Sequence, residues 1–489
     1  MIDMRHIDDV IESGPYEPTW ESLSRVEAPG WFPDAKFGIF THWGLYTVPE
    51  FRNEWYSRNM YIQGYPEFEH HVAVYGPQRD FGYKDFIPMF TAEAFDADEW
   101  LDLFQAAGAR YYFPVAEHHD GFQMYASELS HWNAVEMGPK RDVLGELREA
   151  TLRHGMHFAA SNHRAEHWWF MGHGREFESD VAEPMSRGDF YWPAEPEPDN
   201  QDLFSVPRPD REFLDDWLLR VCELIDGYRP EMLYFDWWIQ HESFKSYIKR
   251  LAAYYYNRGV EWDVPVIICY KDDGMAFGAG LADVERGGYA APTPFVWQTD
   301  TAIARNSWCY TNSLEYKGIE ELVITLIDAV SKNGNLLLNV GPRADGSIAP
   351  HDRMLLEGIG AWLRDNGDGV YGTRPWRICG EGPTQAGSGS FADQQAIEWT
   401  AADWRFTTKN GDIYAFCLNP SGAKELSVAS FFAYHDGRRA PFHGIVAAVE
   451  QLGAGPVAWE RTNEALRITP AARPDGQESM PVGFKITVA

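Results

Sequence analysis

Several short apolar runs in this chain end on histidine or acid. Phe37–Thr41 runs into His42-Trp43-Gly44, Tyr111–Val115 into Glu117-His118-His119-Asp120, and Met232–Phe235 into Asp236-Trp237-Trp238. Runs of this length and character read as strands buried on both faces. Segments of helical period lie between them. In 97–107, Trp100, Phe104 and Ala107 share one face and Gly108 supplies the stop. Helices are also expected over 145–154, 211–227, 242–257, 318–331 and 352–366, and strands over 156–160, 264–270 and 295–297. Helix, strand and polar cluster recur with a period of roughly 40 residues, the signature of βα units on a parallel sheet.

The fold class that follows is α/β. Residues 31–371 are expected to form a (β/α)8-like barrel, with residues 1–30 an N-terminal extension packed on its outside. Beyond 372 the long helices stop and short alternating strands begin, such as Ile413–Leu418 and Gly483–Val488, so 372–489 reads as a C-terminal β-sandwich. The segment 172–210, rich in Pro, Gly and acids, reads as a long loop over the site.

Charge and composition narrow the partners. Acids number 73 against 42 Lys and Arg, a net charge of -31, which argues against nucleic acid and against an anionic membrane. The five cysteines are scattered and form no Cys-x-x-Cys pair, so buried free thiols are expected rather than zinc ligands or a disulfide framework. No apolar stretch long enough to span a bilayer occurs and the first ten residues lack an apolar core, so a soluble, cytoplasmic protein is expected. A homo-oligomer is compatible with the sequence. The 20 Trp suit a sugar-binding protein, and a large core accounts for them equally well.

An acid at the C-terminal end of a parallel strand stands where barrel enzymes place their chemistry, although Asp there also caps a following helix. Asp236 is such an acid, and Trp237 and Trp238 beside it suit the C–H faces of a sugar ring. His42, His118 and His119 sit at other strand ends, placed to donate hydrogen bonds to vicinal hydroxyls. Adjacent histidines also suggest metal. Neighbours on one strand point to opposite faces, however, and no His-x-x-x-His spacing accompanies them, so neither metal nor another cofactor is expected. Glycoside cleavage takes two carboxyl groups. With Asp236 as one, Asp272, Asp273, Asp283, Glu285 and Asp300 are the candidates for the other.

Phe37–Gly44, Val48-Pro49, Glu54-Trp55-Tyr56, His118–Phe122, Asn333–Pro342 and Asp345-Gly346, in this order over roughly residues 20–375, resemble the blocks of glycoside hydrolase family 29, the retaining α-L-fucosidases. The resemblance implies a fucosylated oligosaccharide or glycoconjugate as substrate and Asp236 as nucleophile. It implies fucose contacts by His42, Trp55, His118 and His119, with Glu54 orienting one of them. Trp308, in Ser307–Tyr310, matches the aromatic near the fucose methyl. The family's acid/base precedes a Trp-Glu dipeptide by about a dozen residues in many members. That count, taken back from Trp297-Gln298, lands near Asp283-Val284-Glu285-Arg286, so Glu285 is the expected acid/base, with Asp283 and Asp300 behind it.

Three departures stand out. Gln298 replaces the dipeptide's glutamate. Lys271 occupies the place of an arginine and would supply the cation near the sugar without the planar fork. Ser161–Arg164 replaces a Tyr-Ser-Leu-type segment, so His163 or Asn162 would contact substrate here. The loop after 271 is Gly-rich and is expected to order on substrate binding. These departures motivate two rivals, a catalytically silent fucose-binding homologue and a hydrolase of a related sugar such as galactose.

Overall fold

The structure, a computed structural model, describes residues 2–181, 184–199, 201–433, 437 and 439–489. Eight parallel strands close into a barrel in chain order: β1 Phe37–Thr41, β2 Tyr111–Glu117, β3 His157–Asn162, β4 Met232–Phe235, β5 Ile267–Lys271, β6 Leu281–Asp283, β7 Trp297–Ala302 and β8 Gly334–Val340. β8 closes the ring against β1, with Leu338 opposite Ile39.

Strand parity sorts the side chains. Phe40, Phe113, Val115, Ala159, Met232, Tyr234, Ile267, Cys269, Leu281 and Leu337 form one apolar cluster together with Phe32 and Ala35. Alternate residues, among them Ile39, Tyr112, Phe158, Leu233, Phe235, Ile268 and Leu338, belong to a second cluster shared with the helices. Both faces are buried, which is why the strands read as continuous apolar runs rather than as alternating ones.

Helices Ala97–Ala106, Val143–Arg153, Arg211–Tyr228, Lys245–Trp262, Ile319–Ser331 and Pro350–Asn366 follow six of the strands. None links β5 to β6 or β6 to β7. The first of those connections is too short to hold a crossover helix. The Gly-rich segment after 271, expected as a loop awaiting substrate, therefore contains a barrel strand, and Cys269 and Leu281 stand in register across it. The lead-in is also more regular than expected. Met4–Ser13 is a helix with Asp3 as its N-cap, and it is tied to the barrel helices by a His6–Asp226 contact at 3.3 Å and an Arg250–Asp8 ion pair.

After residue 373 the chain forms antiparallel sheets. A six-stranded sheet has the order β14-β13-β17-β11-β10-β9, and a three-stranded sheet the order β12-β16-β15. These strands are β9 Arg374–Glu381, β10 Trp404–Lys409, β11 Asp412–Cys417, β12 Leu426–Val428, β13 Val446–Gln451, β14 Gly455–Pro456, β15 Ala458–Arg461, β16 Leu466–Thr469 and β17 Val482–Val488. Period 2 works here in the open. Ile413, Ala415 and Cys417 face the sandwich core with Phe406, Ile468 and Phe484. Tyr414 and Phe416 face the barrel, where Phe416 meets Trp362 with ring centroids 5.9 Å apart. All five cysteines are free, and Cys379 alone is only half-buried.

A buried charge cluster braces the rim beneath the histidines. Arg164 bridges Glu117 and Asp216 at 3.0 Å each, Arg220 bridges the same two acids at 3.1 and 2.9 Å, and Arg187 adds a contact to Asp216 at 3.0 Å. Burial alone would raise the Asp216 carboxyl, but Arg220, Arg164 and Arg187 bring it down to about 2. Removing one member strands the others in a dry site. Asp216→Ala is therefore expected to cost about 3–5 kcal/mol in urea unfolding. The folded-state pKa is depressed, so the Asp216 share of stability is complete above the ordinary carboxylate range and is lost as pH falls from about 4 towards about 2.

Candidate active site

Parity builds the site as it builds the core. On several strands the interior positions run apolar and then end in a polar group: Phe40 then His42, Tyr234 then Asp236, Cys269 then Lys271. Leu281, Asp283 and Glu285 follow the same spacing, as do Gln298 and Asp300 on β7 and Leu337 and Asn339 on β8. His163 follows Ala159 and Ser161 in the same way. At β2 a bulge between Val115 and Glu117 breaks the rhythm. Glu117 turns to the arginine cluster, and His118 and His119 reach the cavity.

A cavity of about 220 Å³ at the C-terminal end of the barrel is lined by His42, Glu54, Trp55, His118, His119, His163, Glu166, Tyr234, Asp236, Trp237, Lys271, Glu285, Asp300, Trp308 and Phe391. The site residues expected from sequence are among them except Trp238, which is buried against His241 and Phe244 and does not line the cavity. Of the other acid candidates, Asp272 and Asp273 are exposed and outside the cavity, and Asp283 is buried but does not line it. Asn162, the alternative to His163, spends its side-chain oxygen on the Arg164 amide and is not in the lining.

At the centre Lys271 Nζ donates to Asp236 Oδ1 at 2.8 Å and to Glu285 Oε2 at 2.5 Å. Bonded to one nitrogen, these two oxygens are no further apart than about 5.3 Å, a bound below the roughly 6.5–9.5 Å separation of an inverting pair and compatible with double displacement. Burial works to raise the Asp236 carboxyl, but the Lys271 ammonium and hydrogen bonds from His119 and His163 outweigh it and hold it well below the usual range. His163 Nδ1 lies 2.9 Å and His119 Nε2 3.4 Å from Asp236 Oδ2. Glu285 goes the other way. Burial raises it against the pull of Lys271, and the negative charges of Asp300 and Asp236 add to the rise, taking it to about 7. Trp237 Nε1 donates to the same Glu285 oxygen at 2.7 Å.

The walls are held from behind. Asn339 Oδ1 accepts from His42 Nδ1 at 2.7 Å, and Asn339 Nδ2 donates to the Trp308 carbonyl at 2.6 Å. Glu54 was expected to orient a histidine or tryptophan of the fucose site. It accepts from the Trp308 backbone N–H at 2.9 Å and so fixes that aromatic instead of a histidine. Tyr46 packs on His118 at 4.5 Å between centroids, and Trp55 lies 5.9 Å from His119. His119 Nδ1 bonds the His163 carbonyl at 2.8 Å.

Gln298 lies beneath the pocket. Its amide donates to Asp283 Oδ2 at 2.8 Å and its oxygen accepts from Tyr111 at 3.1 Å. It is outside the lining, so the glutamine takes no acid away from the cavity. As for metals, ring nitrogens of His42, His118 and His163 lie within 4.8 Å of one another, as do ligand atoms of His119, His163 and Asp236. They come from different strands, so no single-strand spacing could have reported them. Both nitrogens of His163 already have partners, Asp236 and Ser161.

Three lining residues escaped the sequence reading. Tyr234 was read only as part of the buried β4 run, and its hydroxyl donates to Asp300 Oδ2 at 2.9 Å. Glu166 sits just past β3, its Oε2 buried without a hydrogen-bond partner and 3.4 Å from His119 Nδ1, and burial takes it up to about 7. The only signal for it was an acid shortly after a strand end. Phe391 comes from the segment between β9 and β10, for which the barrel pattern holds no signal.

A sequence profile described as Alpha-L-fucosidase matches residues 4–368. Plasma alpha-L-fucosidase of Homo sapiens is 34% identical over 384 residues, 74% of this chain and 73% of the relative. The crystal structure of Thermotoga maritima alpha-fucosidase superposes with a TM-score of 0.75 at 29% identity, covering 96% of this chain and 100% of that one. The same Thermotoga maritima enzyme in complex with a mechanism-based inhibitor gives 0.74 at 30% identity, covering 96% and 99%. The chain belongs to the α-L-fucosidase family.

Proposed function

We propose that this protein is a retaining, exo-acting α-L-fucosidase that releases terminal α-L-fucosyl residues from oligosaccharides or glycoconjugates. The observation that carries the reading is the pair of carboxyls bridged by Lys271, one held ionised and the other raised to about 7. Asp236 attacks the anomeric carbon and forms a β-linked fucosyl ester. Glu285 gives its proton to the departing oxygen, then takes one from the water that attacks the ester, so the configuration is retained. His42, His118, His119 and His163 hold hydroxyls. Trp55 and Trp308 pack on the apolar faces and methyl, Glu54 acts by fixing Trp308, and Trp237 stands beside the acid through its bond to Glu285. Lys271 keeps Asp236 charged. A panel of 4-nitrophenyl glycosides tests this. Turnover of the α-L-fucoside with α-L-fucose as first product is expected, whereas a faster galactoside, or fucose binding without turnover, would favour a rival.

The pH profile follows from the same pair. With Glu285 required as an acid near 7, kcat/KM is expected to hold below about pH 7 and fall above it. Asp236 stays ionised through this range. On an activated aryl fucoside the alkaline limb should vanish in Glu285→Ala. If it persists unchanged, the limb belongs to another group, Glu166 first.

A further inference from the structure

The segment joining β9 to β10 belongs to the antiparallel C-terminal region, yet it reaches the catalytic rim. It pairs with the acid-bearing loop, antiparallel at Gly288 and Gly389. The Gly288 carbonyl accepts from Gly389 N–H at 2.8 Å, the Glu285 carbonyl accepts from Phe391 N–H at 2.8 Å, and the Arg286 carbonyl accepts from Asp393 N–H at 3.1 Å. The approach is so close that a Cβ on Gly287 would lie 1.8 Å from the Gly389 carbonyl oxygen, so position 287 admits only glycine. Asp393 pins the segment to the barrel. Its carboxylate accepts from Thr301 Oγ1 at 2.6 Å and from the buried Lys317 ammonium, with Arg286 at 3.7 Å.

This anchoring presents Phe391 in an unusual way. Its φ of 57° is one that bulky residues rarely adopt, and its side chain is 47% exposed while lining the pocket. Backbone outliers gather where the surrounding structure holds a residue for use. Phe391 lies parallel to Trp237, 16° between planes and 6.3 Å between centroids, and Trp237 is the indole bonded to Glu285. Trp237 thus links the Phe391 ring to the acid, and all three line the same cavity.

We propose that Phe391 and Trp237 form a leaving-group subsite that takes the C–H face of a pyranose, so that the C-terminal antiparallel region of the chain takes part in selecting the sugar from which fucose is cut. This rests on the fucosidase reading. The histidines and Trp55 take the fucosyl ring on the other side of the reacting bond. The aromatic pair makes no hydrogen bond to that second ring and so favours sugars with a broad apolar face.

The test compares α-L-fucosyl fluoride, whose leaving group is a single atom, with the fucosyl-hexose that wild type cleaves best among α-1,2, α-1,3, α-1,4 and α-1,6 linkages. The readout is the ratio of kcat/KM for the disaccharide to that for the fluoride. Phe391→Ala is expected to lower this ratio by about tenfold, mostly through KM, and Phe391→Tyr to restore it. An unchanged ratio, or an equal fall on both substrates, overturns the proposal. Wild-type turnover of the fluoride tests the activity separately. Without it the fucosidase reading falls, and this inference with it.

Discussion

Asp236→Ala is expected to cut kcat/KM for 4-nitrophenyl α-L-fucoside by at least about a thousandfold, roughly 4 kcal/mol of transition-state stabilisation. The fold should survive, because Lys271 keeps Glu285 as a partner at 2.5 Å and Asp300 lies 4.0 Å away. Added azide would enter the space left by the carboxylate and attack the fucoside directly. The product would be the β-fucosyl azide, with inverted configuration. The loss of Asp236 also removes a negative charge that helps raise Glu285. Whatever activity remains should therefore fade at lower pH than in wild type. Near-full activity in this variant would refute the assignment of the nucleophile.

The second large effect is expected at Glu285. With alanine there, a substrate that needs its leaving oxygen protonated should lose about 10²–10⁴ in kcat/KM. An aryl fucoside with a strongly acidic leaving group should lose far less in the first step and then stall at the ester. Azide would release the stalled ester as the α-fucosyl azide, with retained configuration. The opposite anomers from the two variants distinguish the roles within one experiment. Equal, small losses on both substrate types would move the acid role to Asp300, which also faces the pocket.

The site was largely legible in the sequence because strand parity is a rule of covalent geometry. Once Met232–Phe235 reads as a buried strand, Tyr234 and Asp236 must share a face, and the same holds for Phe40 with His42. The six family blocks then supply the order. What escaped did so for physical reasons. β6 is only three residues, Leu281–Asp283, too short to display a period amid glycines. The first of the loops beside it carries no helix, so the βα rhythm falters there. Phe391 lies outside the barrel pattern altogether, and its approach to Glu285 runs through backbone hydrogen bonds that side-chain identity does not encode. Gln298 misled in the other direction. Read as a lost acid it suggested a silent homologue, but it lies under the floor, bonded to Tyr111 and Asp283.

Lys271 accounts for much of the electrostatics. Burial works against its charge, yet Asp236, Glu285, Asp300 and Asp283 hold its pKa well above the ordinary value. A point charge between two carboxyls serves here without an arginine's fork, because it need only keep one acid ionised while the other stays protonated.

The central claim is that Asp236 bonds covalently to the sugar. Incubating the protein with 2-deoxy-2-fluoro-α-L-fucosyl fluoride, followed by proteolysis and peptide mass mapping, tests it most directly. One fluorofucosyl adduct, on the peptide that carries Asp236 and on that carboxylate, is the predicted result. An adduct on another acid, or turnover to the β-anomer with no adduct at all, would contradict it.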